Sequence, residues 1–239
     1  MIKALIFDLN GTVIDICTSE SDENIYRTVA NFLEYHGVKI APEELKEGYY
    51  NGVREQKENS SEEFPEFDAV RIFHDIIMER HALDEIAAGK AAVAAAQLFR
   101  AASLRKLVTY PGVQELLPHF KLHYQLAAVS DGQSAWAVPE LRRCQLDKFF
   151  SGVTVSGDLG FRKPDRRIFG MALKNLQLTA EEVIFVGNDM YRDIYGAHNA
   201  GMKTVFFKSN QGDQEFRQVE ADYIIYDFRE LPNALEFLS

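Results

Sequence analysis

The sequence has only two cysteines, Cys17 and Cys144, which lie far apart among its 239 residues. Two distant thiols do not make the disulfide framework of a small secreted domain, and neither has the spacing of a metal site. Long apolar runs are also missing, since no segment approaches the roughly 18 uncharged residues that a membrane-spanning helix needs. Acidic residues outnumber basic ones by 36 to 26, and the resulting charge of −10 opposes non-specific attraction to nucleic acid or to an anionic membrane.

The N-terminal segment lacks the features of a signal peptide, because Asp8 interrupts its apolar run and no small-residue cleavage site follows. We therefore expect a cytoplasmic location. Hydrophobic residues make up 46% and charged residues 26% of the chain, which is typical of a soluble globular protein. The length allows one sizeable core and a smaller second unit. No internal repeat is present, and the sequence carries no signal for an oligomeric state.

The first apolar segment ends in a carboxylate. Residues 3–13 read KALIFDLNGTV, an apolar run of strand length that places Asp8 at its carboxyl end, followed by the turn-forming Asn10 and Gly11. Open α/β sheets bind their ligands at this end of their strands. Asp8 could also simply begin a turn, since Asp, Asn and Gly are common turn residues.

Three later segments end in polar groups in the same way. Residues 124–132 form a second apolar strand that ends at the hydroxyl of Ser130. Residues 160–165 place Lys163 just before a proline, where a helix is expected to start. Residues 182–193 form a third strand followed by a group of amide and carboxylate side chains, Asn188, Asp189 and Asp193.

Taken together, these four motifs resemble those of the haloacid dehalogenase superfamily of hydrolases, most of whose members are phosphatases. The resemblance covers roughly the first fifteen residues and everything after about residue 105. In that second part, predicted strands alternate with helices, which independently favours a parallel, doubly wound α/β sheet. The resemblance implies the same Rossmann-like core.

Between these two parts, residues 16–104 show helical periodicity, and we predict no strand there. We therefore expect an α/β core domain formed by residues 1–15 and 105–239, and a helical cap domain formed by residues 16–104. In the resembled family, a helical cap inserted at this point closes over the active site and selects the substrate. A helical subdomain with a purely structural role is the alternative.

The motif residues have chemical roles that suit phosphoryl transfer. Asp8 is the candidate nucleophile, because a carboxylate can form an acyl phosphate and so divide one difficult step into two. Ser130 and the backbone amides beside it, at Asp131, would hydrogen-bond the transferring group. Lys163 would hold the phosphate and Asp8 together as a compact positive charge. The resemblance implies these same roles.

A magnesium ion is the cofactor that the oxygen-rich motifs predict, because hard cations prefer oxygen ligands. We assign it to Asp8, to the backbone carbonyl of Asn10 and to the pair Asn188 and Asp189, with Asp193 as outer support. Members of the resembled family carry two acids after the glycine of the third strand, the first of which usually reaches the metal directly, and Asn188 aligns with that first acid. Its amide oxygen can bind magnesium without contributing charge, and Asp189 could replace it after a small rotation.

Asn10 is the sharper departure from the resembled family. Phosphatases of that family have a second Asp there, which protonates the leaving oxygen and later activates water. Asn cannot exchange a proton, and the loss of such a group costs about 10²–10⁴ in rate. Three explanations stay open: a natural variant that uses another acid, an engineered substitution that traps an intermediate, or a protein that binds phosphate esters without turning them over.

The predicted function is therefore that of a magnesium-dependent, phosphatase-like hydrolase of a small phosphorylated metabolite, slowed by Asn10. A metal-independent dehalogenase of the same superfamily is a second interpretation, although Asp189 and Asp193 have no use in halide displacement. A phosphonate-cleaving version would need a cap lysine, for which Lys46, Lys57 and Lys90 are available. A non-catalytic binding or regulatory protein is the interpretation from another functional class.

Overall fold

The computed structural model describes all residues from 1 to 239. The strands, in chain order, are β1 (Ala4–Phe7), β2 (Ile14–Thr18), β3 (Leu104–Thr109), β4 (Gln125–Ser130), β5 (Gly152–Val155), β6 (Val183–Gly187), β7 (Lys203–Phe207) and β8 (Tyr223–Ile225). The α-helices are α1 (Glu23–Tyr35), α2 (Pro42–Glu58), α3 (Ala69–Met78), α4 (Glu85–Ser103), α5 (Val113–Phe120), α6 (Ser134–Arg143), α7 (Arg166–Leu176), α8 (Gly196–Asn199) and α9 (Leu231–Leu238). None of the helices is both long and apolar enough to cross a membrane.

Six of the strands form one parallel sheet in the order β5-β4-β1-β6-β7-β8. The predicted parallel, doubly wound α/β fold is thereby confirmed. The strand order reverses around β1, which lies between β4 and β6. Ligand sites of such sheets lie at the carboxyl ends of the strands where the order reverses. The fold therefore brings the ends of the three motif strands to one edge.

The central strands read as continuous apolar runs because helices cover both faces of the sheet. On one face, Leu5 and Phe7 of β1 belong to a cluster of 29 buried apolar residues that includes side chains of α5, α6 and α9. On the other face, Ala4 and Ile6 pack in a cluster of 13 buried residues with side chains of α7. Successive side chains of one strand thus anchor two different layers.

Helices α1 to α4 form a separate layer with its own apolar cluster of 20 buried residues. Helix α1 starts where the side chain of Asp22 accepts a hydrogen bond from the amide of Asn24, and α2 starts at the predicted Pro42. The cluster contains the buried rings of Tyr26, Tyr49, Phe73 and Phe99, and one member from the core, Trp136 of α6.

Our prediction that no strand occurs between residues 16 and 104 was wrong at its N-terminal end. Strand β2 extends to Thr18 and pairs antiparallel with β3, so that Ile14 lies opposite Thr109. The partner of β2 is about ninety residues away in the chain, and local periodicity carries no signal for a ladder formed at that separation. This two-stranded ribbon is where the chain leaves the core for the helical layer and returns.

Candidate active site

A buried lysine between two carboxylates forms the centre of the site. Asp8 follows the last residue of β1, and its Oδ1 accepts a hydrogen bond from Nζ of Lys163 at 2.6 Å. The same Nζ donates to Oδ1 of Asp193 at 2.7 Å and to the carbonyl of Val129 at 3.3 Å. All three charged side chains are nearly inaccessible to water. The ammonium group is therefore held in one place by three acceptors.

The charge of Lys163 follows from these neighbours. Burial by itself would lower the pKa of the ammonium group, but the carboxylates of Asp193, Asp8 and Asp131 outweigh it and raise that pKa. Lys163 consequently stays protonated at neutral pH. It supplies a fixed positive charge at the point where Asp8 would meet an anionic group.

Asn188, directly after β6, is joined to Asp8 through a hydroxyl. The Oγ1 atom of Thr12 lies 3.0 Å from Oδ2 of Asp8 and 2.9 Å from Oδ1 of Asn188. Two glycines with left-handed backbones, Gly11 (φ +96°) and Gly212 (φ +77°), press against Asn188, since a Cβ at either would come within 2.4 Å of it. Only glycine fits these positions, and the carboxamide of Asn188 is fixed against Asp8.

The two acids after Asn188 are engaged in hydrogen bonds to other groups. Oδ2 of Asp193 accepts from the amides of Asn188 and Asp189, while its Oδ1 accepts from Lys163. The carboxylate of Asp189 accepts from the amides of Tyr191, Arg192 and Asp213 and from the guanidinium of Arg192. A rotation of Asp189 toward Asp8 would break all of these bonds, so Asn188 is the member of the pair that faces Asp8.

The end of β4 contributes Ser130 and Asp131. Ser130 is its last residue and is buried next to β1. Oδ1 of Asp131 accepts a hydrogen bond from the backbone amide of Lys163 at 3.0 Å. Burial raises the pKa of Asp131, although the charges of Lys163 and Arg192 oppose the rise.

An open cavity of about 660 Å³ lies beside Lys163, between the core and the loop that joins α2 to α3. Its charged lining consists of four cations, Lys57, Arg162, Lys163 and Arg192, and three acids, Glu63, Asp189 and Asp213. Of the three cap lysines considered from the sequence, only Lys57 borders this cavity. Two of the acids, Asp189 and Asp213, lie beside Arg192, and Asp189 is paired with it.

The cap loop is bound to the core through its backbone. The amide of Arg162 donates to the carbonyl of Phe64 at 3.0 Å, and the amide of Glu66 donates to the carbonyl of Gly160 at 3.0 Å. The side chain of Gln133 accepts from the amide of Ala69 and donates to the carbonyl of Phe67, at 2.9 and 2.6 Å. Such bonds hold the helical layer over the sheet edge.

The structure thus brings Asp8, Lys163, Asn188 and Asp193 into one connected network and places Ser130 and Asp131 on the adjoining strand. Sequence reasoning missed further residues of this region. Thr12 lies inside the first motif and Arg192 inside the last, but neither received a chemical role from the sequence. Gln133 and Glu66 carried no signal, since their role depends on contacts 64 and 90 residues away.

The residues predicted to bind magnesium offer three different kinds of oxygen donor. The chain holds no group of three or more His, Cys, Asp or Glu side chains that could bind a metal ion. The assigned donors are instead one carboxylate, of Asp8, with the amide of Asn188 and the carbonyl of Asn10. Oxygens of Asp8 and Asn188 share the single hydroxyl hydrogen of Thr12, which can satisfy only one of them at a time. Carboxylate, amide and carbonyl oxygens are the donors that a hard cation prefers.

Comparison with known proteins defines the class to which this site belongs. The family model described as haloacid dehalogenase-like hydrolase matches residues 5–207. The chain belongs to this family and is a hydrolase, as the motifs predicted.

Relatives with more specific names are about a third identical to this chain over the segments that align. A glyceraldehyde 3-phosphate phosphatase of Pyrococcus furiosus is 32% identical over 247 residues, covering 100% of this chain and 93% of that protein. A phosphoserine phosphatase of Thermus thermophilus is 31% identical, covering 64% of this chain and 61% of that protein. Among solved structures, a 2-haloacid dehalogenase from Pseudomonas syringae has a TM-score of 0.72 at 21% identity, with 100% of both chains covered. This last likeness concerns the fold alone.

Proposed function

We propose that this protein is a magnesium-dependent phosphatase of a small phosphorylated metabolite that acts through an aspartyl phosphate on Asp8. The observation that carries the proposal is the position of Lys163, whose Nζ lies 2.6 Å from Asp8 and 2.7 Å from Asp193. A phosphate group brings negative charge toward the Asp8 carboxylate, and the two repel each other unless a cation lies between them. Lys163 is that cation, and it is held in place before the substrate arrives.

The chemistry divides into two displacements at phosphorus. In the first, an oxygen of Asp8 forms a bond to phosphorus while the ester P–O bond breaks and the alcohol leaves. In the second, water attacks the aspartyl phosphate, the bond to Asp8 breaks and inorganic phosphate is released. Ser130 and the backbone amides beside it hydrogen-bond the phosphoryl oxygens, while Lys163 offsets their charge through both steps.

Magnesium would be held by Asp8, the backbone carbonyl of Asn10 and the side-chain oxygen of Asn188, with Asp193 orienting Asn188 through its amide. When bound, the ion would supply further positive charge for the phosphoryl oxygens. Asp189 takes no part in this assignment because its carboxylate is used by Arg192 and by backbone amides. Since Asn188 brings no charge, we expect Asn188→Asp to bind magnesium about tenfold more tightly.

The four cationic side chains that line the cavity are consistent with a small anionic substrate. Asp8 is buried, and the exclusion of water strengthens the electrostatics of the site. Relatives of this chain are named for glyceraldehyde 3-phosphate and phosphoserine, and both compounds are compact phosphate esters. We propose that the substrate is of this size and charge.

The experiment is a phosphate-release assay on glyceraldehyde 3-phosphate, phosphoserine and 4-nitrophenyl phosphate, with magnesium and with EDTA. We expect magnesium-dependent release that falls by at least about 10³-fold in Asp8→Asn. Calorimetric titration of magnesium into the parent and into Asn188→Asp tests the metal assignment separately.

The assay also separates the other interpretations. Metal-independent halide release from a 2-haloacid, without phosphate release, would favour a dehalogenase. Binding of phosphate esters with no Asp8-dependent turnover would favour a non-catalytic protein.

A further inference from the structure

Two buried side-chain atoms in the whole chain lack a hydrogen-bond partner, and both belong to motif residues of the site. They are Oδ1 of Asn10 and Oδ2 of Asp131. A buried oxygen without a partner is unfavourable, more so when it is charged, and native proteins keep few such atoms. Both atoms here belong to residues at the carboxyl ends of the two adjacent strands β1 and β4.

Among the buried carboxylates around the site, Asp131 alone has an unengaged oxygen. Asp193 and Asp189 use both of theirs, as described above. Oδ1 of Asp8 accepts from Lys163, and its Oδ2 shares the hydroxyl hydrogen of Thr12 with Asn188. Oε1 of Glu66 accepts from the amide of Phe67 and its Oε2 from Oγ of Ser156. Oδ2 of Asp131 is the one carboxylate oxygen free to act on something that enters.

Asp131 is also held close to the reacting groups. It follows Ser130 at the end of β4, the strand that pairs directly with β1, and its Oδ1 is fixed by the backbone amide of Lys163. The side chain of the same lysine is bonded to Asp8. Its free Oδ2 lies 3.9 Å from Nη1 of Arg192, which lines the cavity together with Lys163. Oδ1 is therefore held by a hydrogen bond, and Oδ2 lies near a cation that lines the cavity.

The charges that face Asp131 are those of Lys163 and Arg192, which favour its ionised form, and of Asp193 and Glu66, which oppose it. Burial outweighs the two cations, and the protonated form is stabilised relative to that of an exposed aspartate. A protonated Asp131 carries a hydroxyl hydrogen that it can give away.

We infer that Asp131 is the general acid and base of this enzyme, taking the part that Asn10 cannot play. The inference rests on the proposed phosphatase function. As Asp8 bonds to phosphorus and the ester bond breaks, the proton on Asp131 moves to the leaving oxygen, and an alcohol and a carboxylate result. In the second displacement, the Asp131 carboxylate takes a proton from the attacking water as the P–O bond to Asp8 breaks. Phosphate leaves, and Asp131 is protonated again.

The test uses a series of aryl phosphates from 4-nitrophenyl to 4-methylphenyl phosphate, whose leaving oxygens grow more basic. We expect Asp131→Asn to lose about 10²-fold in kcat/KM, which reports the displacement of the leaving group, on 4-methylphenyl phosphate and less than about fivefold on 4-nitrophenyl phosphate, whose leaving group needs no proton. The variant keeps an oxygen that accepts from the Lys163 amide. Asp147→Asn, an exposed aspartate after α6, is the matched control and should change neither rate.

A second experiment places a carboxylic acid at position 10 after the one at position 131 has been removed. Asn10→Asp in the Asp131→Asn background should recover the activity on 4-methylphenyl phosphate by at least about tenfold, because the acid returns one strand away. Asn10→Asp alone should gain less than about tenfold, since the parent already has an acid. This last measurement needs no change at Asp131 and stands even if Asp131→Asn fails to fold.

Three results would overturn the inference. They are an equal loss of kcat/KM on all aryl phosphates, a rise in KM with kcat unchanged, or a gain of 10² or more from Asn10→Asp alone. The second of these would make Asp131 a group that binds the substrate. If the parent shows no Asp8-dependent turnover of any aryl phosphate, the proposed function itself fails, and this result is distinct from the other three.

Discussion

The core and the cap bury different kinds of side chain. Among the buried polar residues, only Glu66 and Ser103 lie between residues 16 and 104, whereas the core buries Asp8, Lys163 and Asp193 together. The cap interior is instead built of alanines and rings such as those of Tyr49 and Phe99, whose centroids are 4.6 Å apart. Buried charges are costly unless paired, and the core retains them in the network around Lys163. The core thus buries paired charges, whereas the helical layer buries apolar side chains.

The single tryptophan allows the two regions to be followed separately. Trp136 belongs to α6 of the core but packs in the cap cluster, and its Nε1 donates to the carbonyl of Ala96 at 2.9 Å. Its fluorescence therefore reports contact between core and cap, while far-UV circular dichroism reports the helices of both.

The largest loss of stability and of activity should follow from removing Lys163, the buried cation of the core. Lys163→Met leaves Asp8 and Asp193 buried without their shared partner, and we expect a loss of about 3–5 kcal/mol in the free energy of unfolding. Phosphate release should fall by at least about 10³-fold because the substrate charge is no longer offset. Lys174→Met, at an exposed position of α7, is the control for urea denaturation. Equal stability of the two variants would mean that the buried pair of carboxylates needs no cation.

A matched pair of glycines compares the two regions directly. Gly212→Ala should cost about 3 kcal/mol, because its backbone is left-handed and the new Cβ would lie 2.4 Å from the carbonyl oxygen of Asn188. Gly89→Ala in α4 of the cap should stabilise the protein by about 0.4–1 kcal/mol, since nothing lies within 4 Å of its Cβ. Thermal unfolding measures both, and magnesium titration should be weakened only by the first. Similar effects at the two glycines would contradict the close packing against Asn188.

Removing the hydrogen bonds of Gln133 between the core and the cap should lower the stability of the protein moderately. Gln133→Ala leaves the amide of Ala69 and the carbonyl of Phe67 without partners, which should cost about 1–3 kcal/mol. We expect a shift in Trp136 emission and a raised KM, because the cap no longer holds its position over the cavity. Gln97→Ala on the exposed side of α4 is the control. Unchanged emission and KM would show that Gln133 does not hold the cap.

The smallest expected change in stability comes from Glu66, the one buried carboxyl group of the cap. Burial raises the pKa of Glu66 above its usual 4.5, with Asp131 adding to the rise and Ser156 and Arg162 opposing it. The folded state therefore holds this proton more tightly than the unfolded state does, and the associated stability is lost as pH rises through the folded-state pKa. Glu66→Gln cannot titrate, so its stability should improve relative to the parent between pH 4.5 and neutrality. Urea denaturation at a series of pH values tests this, and parallel pH profiles would contradict it.

Much of the core could be predicted from local patterns. The strands that end near Asp8, Ser130 and Gly187 appeared as apolar runs because helices cover both faces of the sheet. The start of α2 at Pro42 also followed from local chemistry. The pairing of β2 with β3 escaped prediction, since a two-stranded ladder closed across ninety residues leaves no periodic signal in either strand.

The sequence by itself determined which chemical groups the protein has to use: a carboxylate, a hydroxyl, a lysine and an amide at the ends of successive elements. Local periodicity and turn chemistry reach no further than one element, so they identify such groups without showing which atoms meet. Only the tertiary structure decided that Asn188 rather than Asp189 faces Asp8. It also decided that Oδ2 of Asp131 has no hydrogen-bond partner, whereas the oxygens of the other buried carboxylates accept hydrogen bonds, several of them from residues distant in the chain.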